Sequence, residues 1–257
     1  MTMTDRSHTA HQPRLEPTEV EHFHEHGYLL LHRPVFAPAE LGRLYELMQE
    51  QLDAKGDKLS DELDTPHFRE PRLLDFLLSD RVLDIVEPIL GPDIFLWSSH
   101  FIIKAPLVGR DTPWHEDSAY WQGRLSDYSK IATLWLAMDP VWTGNGCMRV
   151  VDGSHQGGGF SAYRPLADRS KHTFGSEISA DIDDSKVINF ELSPGEASLH
   201  DGRIMHGATA NTSKVRRAGY TMRYMAATTK VVPEANPGFR IWLARGQDRA
   251  GNHYENA

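Results

Sequence analysis

Three side chains able to hold a metal ion stand at informative spacings. His115 and Asp117 are two residues apart in Trp114-His115-Glu116-Asp117-Ser118, His206 follows 91 residues after His115, and Arg217 comes 11 residues after that. On a β-strand or at its exit, residues i and i+2 point the same way, so His115 and Asp117 can grip one cation from one side while His206 closes the third corner. Two imidazoles and one carboxylate on one face of an octahedral ion leave the opposite face open. This facial triad favours a non-haem Fe(II) centre that uses dioxygen. A His-x-Asp pair alone is weak evidence in a chain with 14 His and 36 acidic residues. The residues around it supply the specificity.

The elements that must position these groups can be read from periodicity. Glu16 to His26 reads as a short helix stopped by Gly27 and feeding a strand Tyr28 to Leu31. A second helix starts near Pro38, where Leu41, Leu44, Leu47, Met48 and Leu52 recur at three- and four-residue steps. Residues 53–71 read as a polar loop, and Leu73 to Leu90 as one or two helices ending at Gly91-Pro92. Strand-like runs then dominate: Ile94 to Lys104, Lys130 to Met138, Cys147 to Val151, Val187 to Leu192 and Ala218 to Thr229. Helices first and short, turn-bounded strands afterwards predict an α+β fold whose core is a double-stranded β-helix, or jelly roll, backed by the N-terminal helices. The stretch 157–185 lacks clean periodicity and reads as a long loop over the site.

Composition predicts one domain over residues 1–257, with residues 1–15 flexible. The balance of 27 basic against 36 acidic residues gives a net charge of −9, and the longest basic run is Arg216-Arg217, so neither nucleic acid nor an anionic membrane is an expected partner. A small molecule is. The single cysteine, Cys147, has no intrachain partner; no apolar run approaches about 18 residues, and the first 14 residues lack a signal-peptide core. A reducing, cytoplasmic setting is the expectation, one that keeps iron ferrous.

Strand faces refine the site. In Ile131 to Met138 the period of two puts Leu134, Leu136 and Met138 against the helices, and Thr133 and Trp135 on a pocket-facing side. In the later strand Arg217, Gly219, Thr221 and Arg223 share a face. If that face is interior, each arginine needs an anion, because an unpaired buried cation costs on the order of 3–5 kcal/mol. A dicarboxylate cosubstrate would supply one.

The segments WHEDSAYW, TLWLAMDPVWTGNGCMRVVDGSH and HGATANTSKVRR resemble the phytanoyl-CoA dioxygenase-like branch of the Fe(II)/2-oxoglutarate oxygenases, from the N-terminal helix to about Tyr224. The resemblance implies that His115, Asp117 and His206 ligate iron, that Arg217 holds the distal carboxylate of 2-oxoglutarate, and that Trp135 and Phe101 contact this cosubstrate. A small hydroxyl residue often found two after the distal histidine is Ala208 here, so one cosubstrate hydrogen bond is either missing or supplied from elsewhere, with Thr133 as the candidate donor. The implied reaction consumes dioxygen and 2-oxoglutarate, hydroxylates or otherwise oxidises a small metabolite, and releases succinate and CO2, with ascorbate supportive in vitro.

Competing readings differ in identifiable residues. A halogenase of the same fold would carry a small residue in place of Asp117, and a cupin-like isomerase or non-catalytic binding protein has no use for a buried clamp such as Arg217. His155, in an Asp-Gly-Ser-His turn, reads as a structural hydrogen-bonding group; His200-Asp201 mimics a ligand pair, but Asp201-Gly202 reads as a turn. Lys104 reads as a solvent-facing strand end. Arg223, about 20 Å from Arg217 on a straight strand, either meets an anionic group of the substrate or pairs with an acidic neighbour. Phe174, from the 157–185 loop that would close over the site, and Trp121 are the other expected substrate contacts.

Overall fold

In a computed structural model, which describes residues 14–157 and 160–257, the N-terminal third supplies helices α1 (Pro17–His26), α2 (Pro38–Asp53), α3 (Leu74–Leu77) and α4 (Asp80–Leu90). The strands are β1 (Tyr28–Leu31), β2 (Leu63–Asp64), β3 (Ile94–Lys104), β4 (Thr112–His115), β5 (Ile131–Ala137), β6 (Met148–Val151), β7 (Tyr163–Pro165), β8 (Ser176–Ile178), β9 (Val187–Asn189), β10 (Ala197–Asp201), β11 (His206–Ala208), β12 (Arg217–Ala226) and β13 (Trp242–Arg245). A larger antiparallel sheet has the order β1-β10-β5-β12-β3-β13, with β2 on β3; a smaller one has the order β4-β11-β6-β9. These are the two sheets of a double-stranded β-helix.

Alternation along the strands divides the interior in two. Leu134, Leu136 and Met138 join Ala218, Tyr220, Met222 and Tyr224 in one cluster with Leu44, Leu47 and Met48 of α2 and Val82, Ile85 and Val86 of α4. One face of the larger sheet is thus sealed by the helices through apolar burial. The opposite face carries Trp135, Arg217, Thr221 and Arg223, which look across a cavity at His115, Met148 and His206 of the smaller sheet. Between Arg223 and Tyr224 the register on β3 slips: Arg223 is opposite Ser98, and Tyr224 is opposite Leu96. Trp97 is therefore an extra, bulged residue, and both it and Ser98 line the cavity.

The structure differs from the sequence expectation in several segments. The expected loop 53–71 contains β2 and the 3-10 turn Pro66–Phe68, whose His67 is fully buried and bonded to the Ser99 hydroxyl at 2.7 Å. Residues 157–185 contain the hairpin β7–β8, which is too short for its alternation to register as periodicity. Of the terminal residues expected to be flexible, 1–13 lie outside the described residues; Leu15 is buried in the core, and Arg14 pairs with Glu87 at 3.3 Å. Among the described residues no helix is long and apolar enough to cross a membrane.

Candidate metal centre

Antiparallel pairing of β11 with β4 sets His206 directly opposite His115. Asp117 leaves the end of β4 at the start of a 3-10 turn and returns to the same spot. One ligand atom from each of His115, Asp117 and His206 lies within 4.8 Å of the others, and all three residues are buried. Tautomers are set by the backbone. The Nδ1 atoms of His115 and His206 are 2.8 Å and 3.0 Å from the carbonyls of Pro113 and Ile204. A carbonyl can only accept, so each Nδ1 carries the proton and each Nε2 offers its lone pair to the centre. Burial lowers the pKa of His115 and takes that of His206, which also feels His115 and His200, well below the ordinary range. Both rings are neutral and able to ligate.

Asp117 is ionised for a different balance of reasons. Burial pushes its pKa up, but the Arg223 guanidinium together with His200 and His206 more than reverses this, leaving the carboxyl well below the usual range. Arg223 forks both oxygens, Nε to Oδ2 at 2.9 Å and Nη2 to Oδ1 at 3.3 Å. The acidic neighbour of Arg223 is thus the candidate metal ligand itself. With His115 Nε2 3.9 Å from Oδ1 and His200 Nε2 3.9 Å from Oδ2, the arginine fork is a second-sphere arrangement that fixes the orientation of the carboxylate. Two neutral imidazoles and an ionised carboxylate fit an octahedral divalent ion such as Fe(II).

The other end of the cavity is cationic. Arg217 is buried at 2% exposure, lies over the Trp135 ring at 5.0 Å, and donates from Nε and Nη2 to the Gly146 carbonyl at 3.0 and 2.7 Å. Its Nη1 has no partner among the described residues, and burial lowers its pKa to about 10, still charged at neutral pH. Lys104, opposite Arg217 in the β3–β12 register, is fully buried as well, donating to the carbonyl of Thr209 at 2.6 Å. Burial and the neighbouring Arg217 lower the Lys104 pKa well below the ordinary lysine range, and Arg217, which lines the cavity without a carboxylate partner among the described residues, suits the distal carboxylate of a 2-oxo diacid. Two glycines make the clamp possible. Gly146 sits at φ +80° with its Cβ position 2.4 Å from the Thr209 carbonyl, and a Cβ on Gly219 would be 1.9 Å from the Trp135 indole. Gly219→Ala should displace that indole, cost about 1–3 kcal/mol of stability through overpacking, and raise the KM for 2-oxoglutarate. A thermal melt and a cosubstrate titration check both.

Other expected site residues divide. Trp121 and Phe174 line the cavity, Phe174 packing its ring 4.8 Å from His115. Thr173 joins it from the same segment, and the Glu116 carboxylate, between two candidate ligands, accepts from the Ser161 hydroxyl at 2.8 Å. The 157–185 segment is thereby held against the site, while its cations turn to local partners such as Arg164 to Glu177 and Lys171 to Asp168. Phe101 is a correction. It stacks on Tyr220 at 4.0 Å within the helix-facing core, because the strand period sends His100 and Ile102 to the cavity and Phe101 to the other side. Phe101→Ala should therefore cost about 3–5 kcal/mol of stability with an unchanged KM for 2-oxoglutarate, readable by denaturant unfolding and kinetics. Thr133 is fully buried and does not line the cavity; Thr221 does, with a buried hydroxyl that has no partner among the described residues and can take its place. Lys104 is buried rather than solvent-facing, stabilised by two carbonyls.

Sequence reasoning also missed His200. The residue is 1% exposed, both ring nitrogens lack hydrogen-bond partners among the described residues, and Nε2 lies 3.9 Å from Asp117. The signal was the alternation Ser198-Leu199-His200, obscured by the following Asp-Gly. His155 bonds the His24 carbonyl, as its turn implied.

Residues 23–219 match the family model described as phytanoyl-CoA dioxygenase (PhyH). A phytanoyl-CoA dioxygenase domain-containing protein 1 homolog from Caenorhabditis elegans is 27% identical over 165 residues, covering 62% of this chain and 56% of that protein. A probable alpha-ketoglutarate-dependent hypophosphite dioxygenase from Stutzerimonas stutzeri is 26% identical over 179 residues, covering 69% of this chain and 61% of that protein. The chain thus spans a little over half the length of the curated relatives it matches. Among solved structures, the non-heme monooxygenase ThoJ in its apo form is similar with a TM-score of 0.76 and 24% identity over 92% of this chain and 87% of that one, a likeness of fold. With the family model covering well over half of its 257 residues, the chain belongs to the phytanoyl-CoA dioxygenase family.

Proposed function

We propose that this chain is a non-haem Fe(II)- and 2-oxoglutarate-dependent dioxygenase that hydroxylates or otherwise oxidises a small molecule, releasing succinate and CO2. One observation carries the reading: a single cavity of about 380 Å³ has the His115-Asp117-His206 triad on one wall and, on another, Arg217, which has no carboxylate partner among the described residues. A cupin-like isomerase or binding protein gains nothing from that clamp, and a halogenase would lack Asp117.

Each residue then has a task. His115, Asp117 and His206 would hold the iron, and Arg223 keeps the Asp117 carboxylate ionised and oriented. Arg217, over Trp135, would bind the distal carboxylate of 2-oxoglutarate bidentately, with Thr221 donating its hydroxyl. Iron together with the 2-oxo acid and dioxygen supplies oxidative decarboxylation and an oxidant of substrate C–H bonds. Phe174, Tyr120 and Trp121 shield that chemistry from water. A reducing compartment suits both iron and the buried thiol of Cys147.

The test is succinate release on adding Fe(II), ascorbate and 2-oxoglutarate, alone and with a metabolite panel. Metal- and 2-oxoglutarate-dependent succinate is expected, accelerated by some panel members. Absence of succinate from protein that binds both Fe(II) and 2-oxoglutarate contradicts the reading.

A further inference from the structure

Three arginines line the cavity beside the triad, and two of them already have roles: Arg223 with Asp117, Arg217 over Trp135. Arg124 is the third. Its guanidinium carbon lies 4.9 Å from the Trp97 ring centroid and 4.8 Å from that of Phe239, so the group rests across both rings. Nε donates to the Asn236 Oδ1 at 2.7 Å, and the Asn236 amide donates back to the Arg124 carbonyl at 2.9 Å. Among the described residues the terminal nitrogens Nη1 and Nη2 have no hydrogen-bond partner, and no carboxylate lies within 4.0 Å of them. A guanidinium stacked on two aromatic rings and tied at Nε has little rotamer freedom left to lose on binding, and it presents its fork of N–H groups ready-made.

The surroundings say what would lie beside an anion bound there. Trp97 reaches the cavity through the β3 bulge and meets Trp121 with ring centroids 5.9 Å apart. Trp121 in turn lies under Arg223 at 5.6 Å, and Arg223 holds Asp117. An aromatic floor about two ring spacings long, on the order of 10 Å, thus runs from Arg124 towards the metal ligands. Tyr120 and Phe174, with ring centroids 4.9 Å apart and planes tilted by 40°, add an apolar wall. The acidic groups of the cavity are unequal: Asp61 and Glu62 pair with Arg110, whereas the Asp64 side chain is 65% exposed at the rim and acts on Arg124 at longer range. Asp64 compensates Arg124 only in part, and it would oppose a second negative charge on the ligand.

We propose that Arg124 is the substrate-anchoring residue, and that the primary substrate is a monoanion, a carboxylate carried on an apolar or aromatic body that lies across Trp97 and Trp121 and is oxidised at a carbon remote from the charge. This deepens the oxygenase reading above and rests on it. Arg223, bound to Asp117, is not the group that selects the charge.

The experiment uses the full chain loaded with Mn(II) and 2-oxoglutarate, with 3-phenylpropanoate and 3-phenylpropanamide as the probe pair and tryptophan fluorescence as the readout, supplemented by C6 to C12 carboxylate and amide pairs. Wild type should prefer carboxylate over amide by about tenfold or more, the range of a charge-assisted hydrogen-bonded contact, and the preference should shrink with added salt. Arg124→Gln should abolish the preference while leaving Mn(II) and 2-oxoglutarate affinity unchanged. Arg124→Lys, which keeps the charge and the aliphatic stem, should retain part of it and covers the case in which the glutamine variant does not fold. A wild-type protein that loads both Mn(II) and 2-oxoglutarate yet shows no carboxylate preference across the pairs overturns the proposal, as does a preference unaltered in both variants. Failure of wild type to bind Mn(II) or 2-oxoglutarate would instead remove the oxygenase reading and this one with it.

Discussion

Arg217→Met is expected to raise the KM for 2-oxoglutarate steeply while making the cosubstrate-free protein more stable. The two effects share one cause. In the wild type a guanidinium at 2% exposure has only the Gly146 carbonyl as acceptor and one terminal nitrogen unpartnered. Removing a cation that lacks a counter-charge relieves desolvation, and an apolar side chain of similar length fills the space. On the proposed function, the same guanidinium would become the bidentate partner of a buried carboxylate when 2-oxoglutarate binds, and its loss would cost about 2–5 kcal/mol, roughly 30-fold to several thousand-fold in affinity. Thermal shift with and without 2-oxoglutarate separates the terms: the variant should melt higher than wild type alone and gain nothing from cosubstrate. A variant that melts lower and retains its response to 2-oxoglutarate would show that the clamp is misassigned.

Asp117→Ala should abolish turnover and lower metal affinity, and it should also destabilise the fold, because Arg223 would lose its counter-charge and both of its hydrogen bonds to Asp117. An uncompensated buried cation costs about 3–5 kcal/mol. The double variant Asp117→Ala/Arg223→Met separates structure from chemistry. Stability should return in large part, since the orphaned charge is gone, while metal binding and activity stay absent. A double variant no more stable than Asp117→Ala would mean that the fork of Arg223 on Asp117 carries little energy; denaturant midpoints decide it.

Much of this architecture is written locally in the chain. The helical period of Leu41, Leu44, Leu47 and Met48 and the alternation in Leu134, Trp135 and Leu136 depend on neighbours a few residues away, and they give the helix-backed sheet and the cavity-facing Trp135. The triad is legible because an i, i+2 pair at a strand exit is local geometry and the distal His-to-Arg spacing is fixed by one strand and its turn. What escaped depends on long-range pairing. Phe101 could be assigned a face only by knowing the β3 register, and the bulge at Trp97 exists because β12 and β3 disagree by one residue. Arg124 became visible through Asn236 and Phe239, more than 100 residues away, in a segment whose own pattern is weak. Arg223 shows the same point: period and distance left two partners open, and only the fold brings it to Asp117.

On the proposed function, one divalent iron would be held by His115, Asp117 and His206 beside Arg217. Anaerobic Fe(II) titration followed by metal analysis tests it most directly, comparing wild type with His206→Ala. One equivalent of iron bound per wild-type chain, with weakened binding and no turnover in His206→Ala, is the predicted result; a His206→Ala protein that binds iron with full stoichiometry and unchanged affinity and turns over 2-oxoglutarate normally would contradict it.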